Sequence, residues 1–364
     1  MELSATIPAL LSQQVATYGS ETILRKKDRG IWNAVTWLDL DARVREIGQG
    51  LRAAGLTHGR TVAVLSETRP EFVYTDLAIL GCGAASVAVH PEQEAARVSE
   101  ILRDTGVSCA IVEGEEQLDK VLGIRDGCPD LRLIVIIDMK GLRDFRDPGC
   151  MSLADLIEGG TGQSDWKTAS ASVSPDQTAA ILIEGSGIGR LISHAEIMRQ
   201  MEAAGGTLGV QSGDERLAVL PMCDPTERVL GLYLALKHRI VSNYLENPET
   251  ATENLREVKP TVFGANSEAW ERLHARTTAL AANATAVQKV LYRWAIDAGA
   301  NGGLMGSLAN LLVLPAVRGQ LGFGKLRVAY VGDRAIPSEI DHWARGLGIT
   351  VRYINPFQQG ETHA

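Results

Sequence analysis

A chain of 364 residues is long enough to bury a large core and to divide into two domains or subdomains. A formal charge of −8 with no basic stripe excludes nucleic acid as a partner, because nothing is present to displace counterions from phosphates. Five dispersed cysteines (Cys82, Cys109, Cys128, Cys150, Cys223) without a C-x-x-C pair give no metal site and fit a reduced, cytoplasmic chain.

In chain order, residues 4–18 suit a short amphipathic helix, and 22–26 with 32–37 a hairpin around Asp28-Arg29-Gly30. Thr36 is placed to cap the next helix, with Asp39 three residues on returning the bond. Leu40, Val44, Ile47 and Leu51 recur at helical spacing along it, and Gly55 ends it. Strand 61–65, helix 70–80, strand 85–89, helix 91–104, strand 109–112, helix 115–122 and strand 133–138 follow. Short apolar strands alternating with helices imply a parallel sheet covered on both faces. Residues 139–174, rich in Gly, Asp and Ser, read as a linker with a short helix near 153–157.

The alternation then resumes with strand 179–183, helix 193–204, strand 217–220, helix 228–236 and strand 240–244. Asn247-Pro248 opens a helix running to Val258. Strand 261–263, helices near 268–276, 286–298 and 308–321, strand 326–331, helix 337–347 and strand 350–353 complete the pattern. Ala298 to Val317 carries no charge over twenty positions, the length of a membrane span. Its Asn, Gly and Pro content predicts instead a loop feeding a buried helix, with a membrane-surface role as the lesser alternative and no transmembrane segment.

The stretch with the most chemistry is AAILIEGSGIGRLISH, residues 179–194. An apolar strand, a glycine turn and a helix aim backbone N–H groups at a phosphate. A dinucleotide fingerprint would need G-x-G-x-x-G and a Walker loop G-K-[ST]; neither is present. What remains is a turn that merely passes a strand into a helix, or a phosphate loop of another kind.

Ser186, Gly187, Gly189, Ser193 and His194 resemble the phosphate loop of AMP-forming acyl-CoA synthetases, (Y)TSGTTGxPKGVxLSH. The likeness continues through TWLDLDARVREIGQGLRAAGL, RTVAVLSETRPEFVYTDLAILGCGAASVAVHP and EILRDTGVSCAIVEGEEQLDKVL. Further on, LPMCDPTERVLGLYLAL resembles LPLxHxFERVxGxYL, and NPETATENLREVKPTVFGANSEAWERLHAR and KLRVAYVGDRAIP also have family counterparts. On these stretches the chain is identified as a member of the AMP-dependent synthetase/ligase (adenylate-forming) superfamily, similar to the N-terminal region of long-chain acyl-CoA synthetases. The resemblance implies an α/β fold: two stacked α/β subdomains of the AMP-binding domain, truncated, over 1–175 (with linker) and 176–364. It implies ATP and Mg²⁺ as cofactors, held by Ser186, Gly187, Gly189, Gly332, Glu361 and Thr362, with Glu361 toward the metal. The implied partners are a long-chain fatty acid and a homo- or hetero-oligomer with an intact synthetase.

The departures lie where chemistry belongs. Only nine letters run from Ser186 to His194, and the family's two threonines and P-K-G are missing; Arg190 is the one substitute for the lost lysine. The SGGAP turn becomes Val331-Gly332-Asp333-Arg334-Ala335, and YGxTE becomes Phe357-Gln358-Gln359-Gly360-Glu361. The His and aromatic of LPLxHxF become Asp224 and Thr226, and VPR becomes Asn266-Ser267-Glu268. The hinge and the lid domain with its adenylation lysine fall beyond residue 364. Adenylation depends on cationic stabilisation of phosphoryl charge, so this pattern implies an impaired ligase with no assigned catalytic residue. The alternatives are a non-catalytic acyl- or partner-binding pseudoenzyme, or an enzyme half completed by a separate C-terminal chain. His194 reads as a packed histidine before a catalytic one. Asp224, Glu227 and Arg228 read as a salt bridge opening a helix before a carboxylate pair with a positioning arginine.

Overall fold

The structure, a computed structural model, describes residues 4–162, 165–183 and 189–355. These form two compact units. The first comprises residues up to 24, 34–199 and 221–224, and the second comprises 25–33, 200–220 and 225 onward.

The sheet of the first unit runs Cys150–Ser152, Leu133–Ile136, Val107–Val112, Thr61–Leu65, Ala85–Val89, Thr178–Ile181, Leu191–Ser193. Neighbouring strands are parallel except the last two, which form an antiparallel pair. All five residues of Ala85–Val89 are buried, as a strand covered on both faces requires. Helix Trp37–Ala53 begins with the expected capping box, Thr36 and Asp39 satisfying each other's backbone N–H groups. Its Leu40, Val44, Ile47 and Leu51 are all buried.

Residues 139–174 are not a linker. Cys150–Ser152 adds a parallel edge strand beside Leu133–Ile136, and Ser152 caps helix Leu153–Gly159 in a second capping box with Asp155. Helix Trp166–Ala171 then drives the Trp166 indole against two glycines. A Cβ on Gly48 would fall 2.0 Å from the ring, and one on Gly81 2.3 Å from it. A boundary at 175/176 is displaced for the same kind of reason: Thr178–Ile181 pairs with Ala85–Val89 and so completes the first sheet.

The second sheet runs Val351–Tyr353, Val328–Val331, Val262–Ala265, Glu215–Ala218, Val241–Tyr244 and then the hairpin Thr22–Asp28 and Ile31–Thr36. Its five leading strands are parallel. The hairpin turns at Arg29 and Gly30, both at positive φ (48° and 78°). The Glu246 carboxylate accepts both of their N–H groups. Phe263, Trp270 and Phe323 meet as an aromatic cluster under the helices.

The helix expected over 228–236 is present, with a π-helical first part, Thr226–Tyr233, before an α-helical turn, Leu234–His238, while one expectation is overturned. The uncharged stretch 298–317 is no loop feeding a buried helix. It contributes two helices, Gly303–Leu312 and Leu314–Leu321, bent by 54°. Leu304 in the first of them is 90% exposed. No single helix among the described residues is long and apolar enough to cross a membrane.

The fit of Trp166 predicts a change of sign. In the natural chain Gly48→Ala should destabilise by about 1–3 kcal/mol, since a Cβ there overpacks the indole. Trp166→Ala alone should cost about 3–5 kcal/mol. With Trp166→Ala already in place, Gly48→Ala should become stabilising, by up to about 1 kcal/mol of helix propensity. Urea midpoints of the four proteins measure this.

Candidate functional site

In the first unit, the candidate phosphate turn sits between two antiparallel strands. Thr178–Ile181 leads in and Leu191–Ser193 leads out before helix His194–Leu208, so the direct strand-to-helix passage is corrected to a hairpin. The Leu182 N–H donates to the Arg190 carbonyl at 2.9 Å. Gly189 lies so close to the incoming strand that a Cβ would fall 0.6 Å from the Leu182 carbonyl oxygen. Only glycine closes this hairpin. Ser186 and Gly187 lie outside the described residues.

The residues after the turn have structural partners. Arg190 forms an ion pair with Glu196. Ser193 Oγ accepts the Glu196 N–H at 3.2 Å, capping the helix. His194 is fully buried, and its Nδ1 accepts the Ile7 N–H at 3.4 Å, so the neutral ring carries its proton on Nε2. Among the described residues that Nε2 meets no acceptor. Burial pushes the imidazole down to about 4, against the opposing pull of the Asp76 carboxylate. Such a histidine ties the N-terminal helix to the scaffold.

In the second unit, Gly332 follows strand Val328–Val331. A Cβ there would meet Thr226 Oγ1 at 2.1 Å, so the strand end is packed directly on the π-helix. Tyr330 donates from its hydroxyl to the Leu230 carbonyl at 2.9 Å. The two charges that replace small family residues are both engaged. Asp333 accepts the Ser267 N–H at 2.8 Å, and Arg334 pairs with Glu271 at 3.0 Å. Both bonds go to helix Ser267–Ala282, whose N-cap is Asn266. The substituted turn and the substituted VPR segment therefore hold one another.

The Glu227 carboxylate binds Arg216, from strand Glu215–Ala218, and both are almost wholly buried. The Arg216 guanidinium also reaches Ser242 Oγ at 3.5 Å. Arg228 turns to Tyr233, donating from Nε to the hydroxyl at 3.2 Å. Arg216 is not among the candidate residues of the sequence: it closes the charged run Asp214-Glu215-Arg216, and only its burial in the fold requires a carboxylate to answer it.

Glu361 and Thr362 lie outside the described residues. Among the described residues no group of three or more His, Cys, Asp or Glu converges to hold a metal. Of the expected nucleotide-binding positions, Gly189 and Gly332 alone are described, and both are packed against their own chain. The charged side chains beside them are bound to Glu196, Ser267 and Glu271.

The family model for the AMP-binding enzyme matches residues 11–362. A long-chain-fatty-acid–CoA ligase of Xenopus laevis is 22% identical over 371 residues, 95% of this chain and 50% of that protein. A putative fatty-acid–CoA ligase of Mycobacterium tuberculosis is 30% identical over 233 residues, covering 58% of this chain and 41% of that protein. Among solved structures, the adenylation domain of a carboxylate reductase from Mycobacterium chelonae superposes with a TM-score of 0.77 at 19% identity. That match covers 100% of this chain and 59% of that one. An anthranilate CoA ligase solved with anthranoyl-AMP gives 0.69 at 17% identity, over 97% of this chain and 59% of that one. The chain spans about half the length of the long-chain-fatty-acid–CoA ligases it matches.

The buried, neutral His194 makes stability depend on pH. Its folded pKa is below the unfolded value of about 6.5, so the unfolded chain binds the proton first. Stability contributed by the neutral ring is complete above pH 6.5 and is lost as pH falls from there toward 4. The stability difference between the natural chain and His194→Gln should be roughly 2–3 kcal/mol smaller at pH 4.5 than at pH 7.5. Denaturant titrations at the two pH values measure it; an unchanged difference would refute the assignment.

Proposed function

The chain belongs to the AMP-binding enzyme family, and from that premise we propose that it is an acyl-binding relative of the long-chain fatty acid–CoA ligases, impaired in adenylation. The observation that carries the impairment is the use of charge at the two turns. Arg190, the one cation in the shortened loop, is held by Glu196, and Asp333 and Arg334 are held by helix Ser267–Ala282. Stabilising a phosphoryl transition state needs cations aimed at the substrate. These side chains are aimed at the protein.

Acyl binding is supported by a cavity of about 460 Å³ in the second unit. Its walls include Leu280, Leu291, Leu312 and Val317, with Arg256 and Arg276 among the polar lining. Arg256 donates to the Gln320 carbonyl at 2.6 Å and Arg276 to the Thr252 hydroxyl. Among the described residues neither arginine meets a carboxylate. An apolar chamber with two such cations suits an amphiphile with an anionic head, and its volume is in the usual range for small-molecule sites. Five free thiols are in keeping with the cytoplasmic setting this reading includes.

Calorimetric titration with Mg-ATP and with a long-chain fatty acid tests both halves. Heat with the fatty acid and none with ATP up to about millimolar concentration is expected. Ala284→Trp, which fills the cavity, should weaken the fatty acid by about tenfold or more. Submillimolar ATP affinity would overturn the impairment and direct attention to an enzyme half completed by a separate chain. Silence toward the fatty acid would overturn acyl binding, and co-purification with an intact synthetase would then identify a partner-binding subunit.

A further inference from the structure

At the amino-terminal edge of the first sheet, neighbouring strands bring two arginines to one cavity. Leu133–Ile136, Val107–Val112 and Thr61–Leu65 lie side by side and parallel. Arg132 immediately precedes the first of them and Arg60 the last. On the strand between, the pairing slips. Thr61 is opposite Val107 but Val62 is opposite Cys109, so Ser108 is the extra residue of a β-bulge. Bulges gather beside functional sites, where they re-aim a side chain. Arg60, Arg132 and Ser108 all line a cavity of about 180 Å³, and Leu51, Leu56 and Leu133 give it an apolar wall. Two strand spacings set the backbones of the arginines roughly 10 Å apart, a gap that two extended side chains can close on one ligand.

Charge identifies the occupant. Among the described residues no carboxylate lines the cavity, and neither guanidinium has a hydrogen bond or an ion pair. Acidic residues outnumber lysine and arginine by 44 to 36, so a shortage of acids does not explain it. The end of helix Trp37–Ala53 at this cavity is also muted as a source of negative potential. The N–H groups of Ala54, Gly55 and Leu56 already bond the carbonyls of Gly50, Arg52 and Leu51. Two cationic forks match a phosphomonoester, which carries about −1.5 to −2 at neutral pH, better than a singly charged carboxylate. The volume lies below the roughly 300–1,000 Å³ of drug-sized sites, too small for a whole nucleotide or a long acyl chain.

The cavity is not the nucleotide crevice under another name. Thr178–Ile181 runs parallel to the strands beside it, and the candidate phosphate turn follows its carboxyl end, whereas Arg60 and Arg132 stand at the amino-terminal edge. We propose that this cavity binds a small phosphomonoester, with the phosphate between Arg60 and Arg132 and the organic part against Leu51, Leu56 and Leu133. The inference goes beyond the acyl-binding reading and does not rest on it, since the two cavities belong to different units.

Phosphorus NMR of phenyl phosphate titrated with the purified protein tests it. Line broadening that reports a dissociation constant of about a millimolar or tighter is expected. Arg60→Gln and Arg132→Gln should each weaken binding about tenfold, and the double variant should abolish it. All three should keep the natural thermal melt, because both side chains are exposed and hold no partner among the described residues. Benzoate, with the same ring and a single charge, should bind at least about fivefold more weakly in competition. The proposal is overturned if phenyl phosphate at about 10 mM shows no binding or if the double variant binds as tightly as the natural chain. Equal affinity for benzoate would likewise overturn it, since phosphate would not be the group recognised.

Discussion

The second unit depends on one buried ion pair, Arg216 with Glu227. Two charges removed from water are tolerated only when each satisfies the other, and losing either partner costs about 3–5 kcal/mol. The pair joins strand Glu215–Ala218 to the π-helix, and the surroundings are built around it. Gly231 has no room for a Cβ, which would lie 2.8 Å from the Glu227 carboxylate and 2.9 Å from the Arg216 guanidinium. The wider π turn is of the kind that accommodates an inserted group against the helix backbone. Once Glu227 is fixed, Thr226 fills the space at Gly332 and Leu230 receives the Tyr330 hydroxyl. The turn carrying Asp333 and Arg334 is therefore positioned from beneath by this polar core.

This arrangement separates what the chain has kept from what it has lost. In TERVLGLY, Glu227, Arg228, Gly231 and Tyr233 are each engaged inside the fold. Around the shortened loop, Ser193 caps a helix and His194 packs beneath the N-terminal helix. The motif positions that survive are those whose substitution would damage packing. The positions that differ from the family pattern, the loop threonines, its lysine and the small residues after Gly332, are those that the resemblance assigns to a ligand. A scaffold released from catalysis would retain the first set for stability and lose the second without penalty to its fold.

Features that sequence could reveal were local ones. The Thr36/Asp39 capping box spans three residues, and strands Thr61–Leu65 and Ala85–Val89 are apolar runs bounded by turn signals, so both were read at their observed limits. Cys150–Ser152 is three residues long and shows no periodicity; only its pairing with Leu133–Ile136 makes it a strand. Asp224, Glu227 and Arg228 read as a salt bridge opening a helix because they are neighbours in sequence, whereas the ion pair seen at Glu227 goes to Arg216, eleven positions away on a strand. Of the candidate site, the sequence names Gly189 and Gly332 as nucleotide-binding positions by resemblance; that each is packed against its own chain is visible only in the fold, and the bonds from Asp333 to Ser267 and from Arg334 to Glu271 cross more than sixty residues. No spacing rule connects such pairs.

The uncharged stretch was misjudged for a different reason. Hydrophobic composition predicts burial only when enough neighbouring surface exists to cover it, and composition is silent on that. In Gly303–Leu312 the small residues Gly306 and Ala309 face inward, while Leu304, Leu308 and Leu311 face solvent. That is the reverse of a globular core helix, where the bulky residues are buried. Gly306 cannot be enlarged, since a Cβ would sit 2.7 Å from the Ala298 carbonyl. Tight inner packing thus holds the leucines outward.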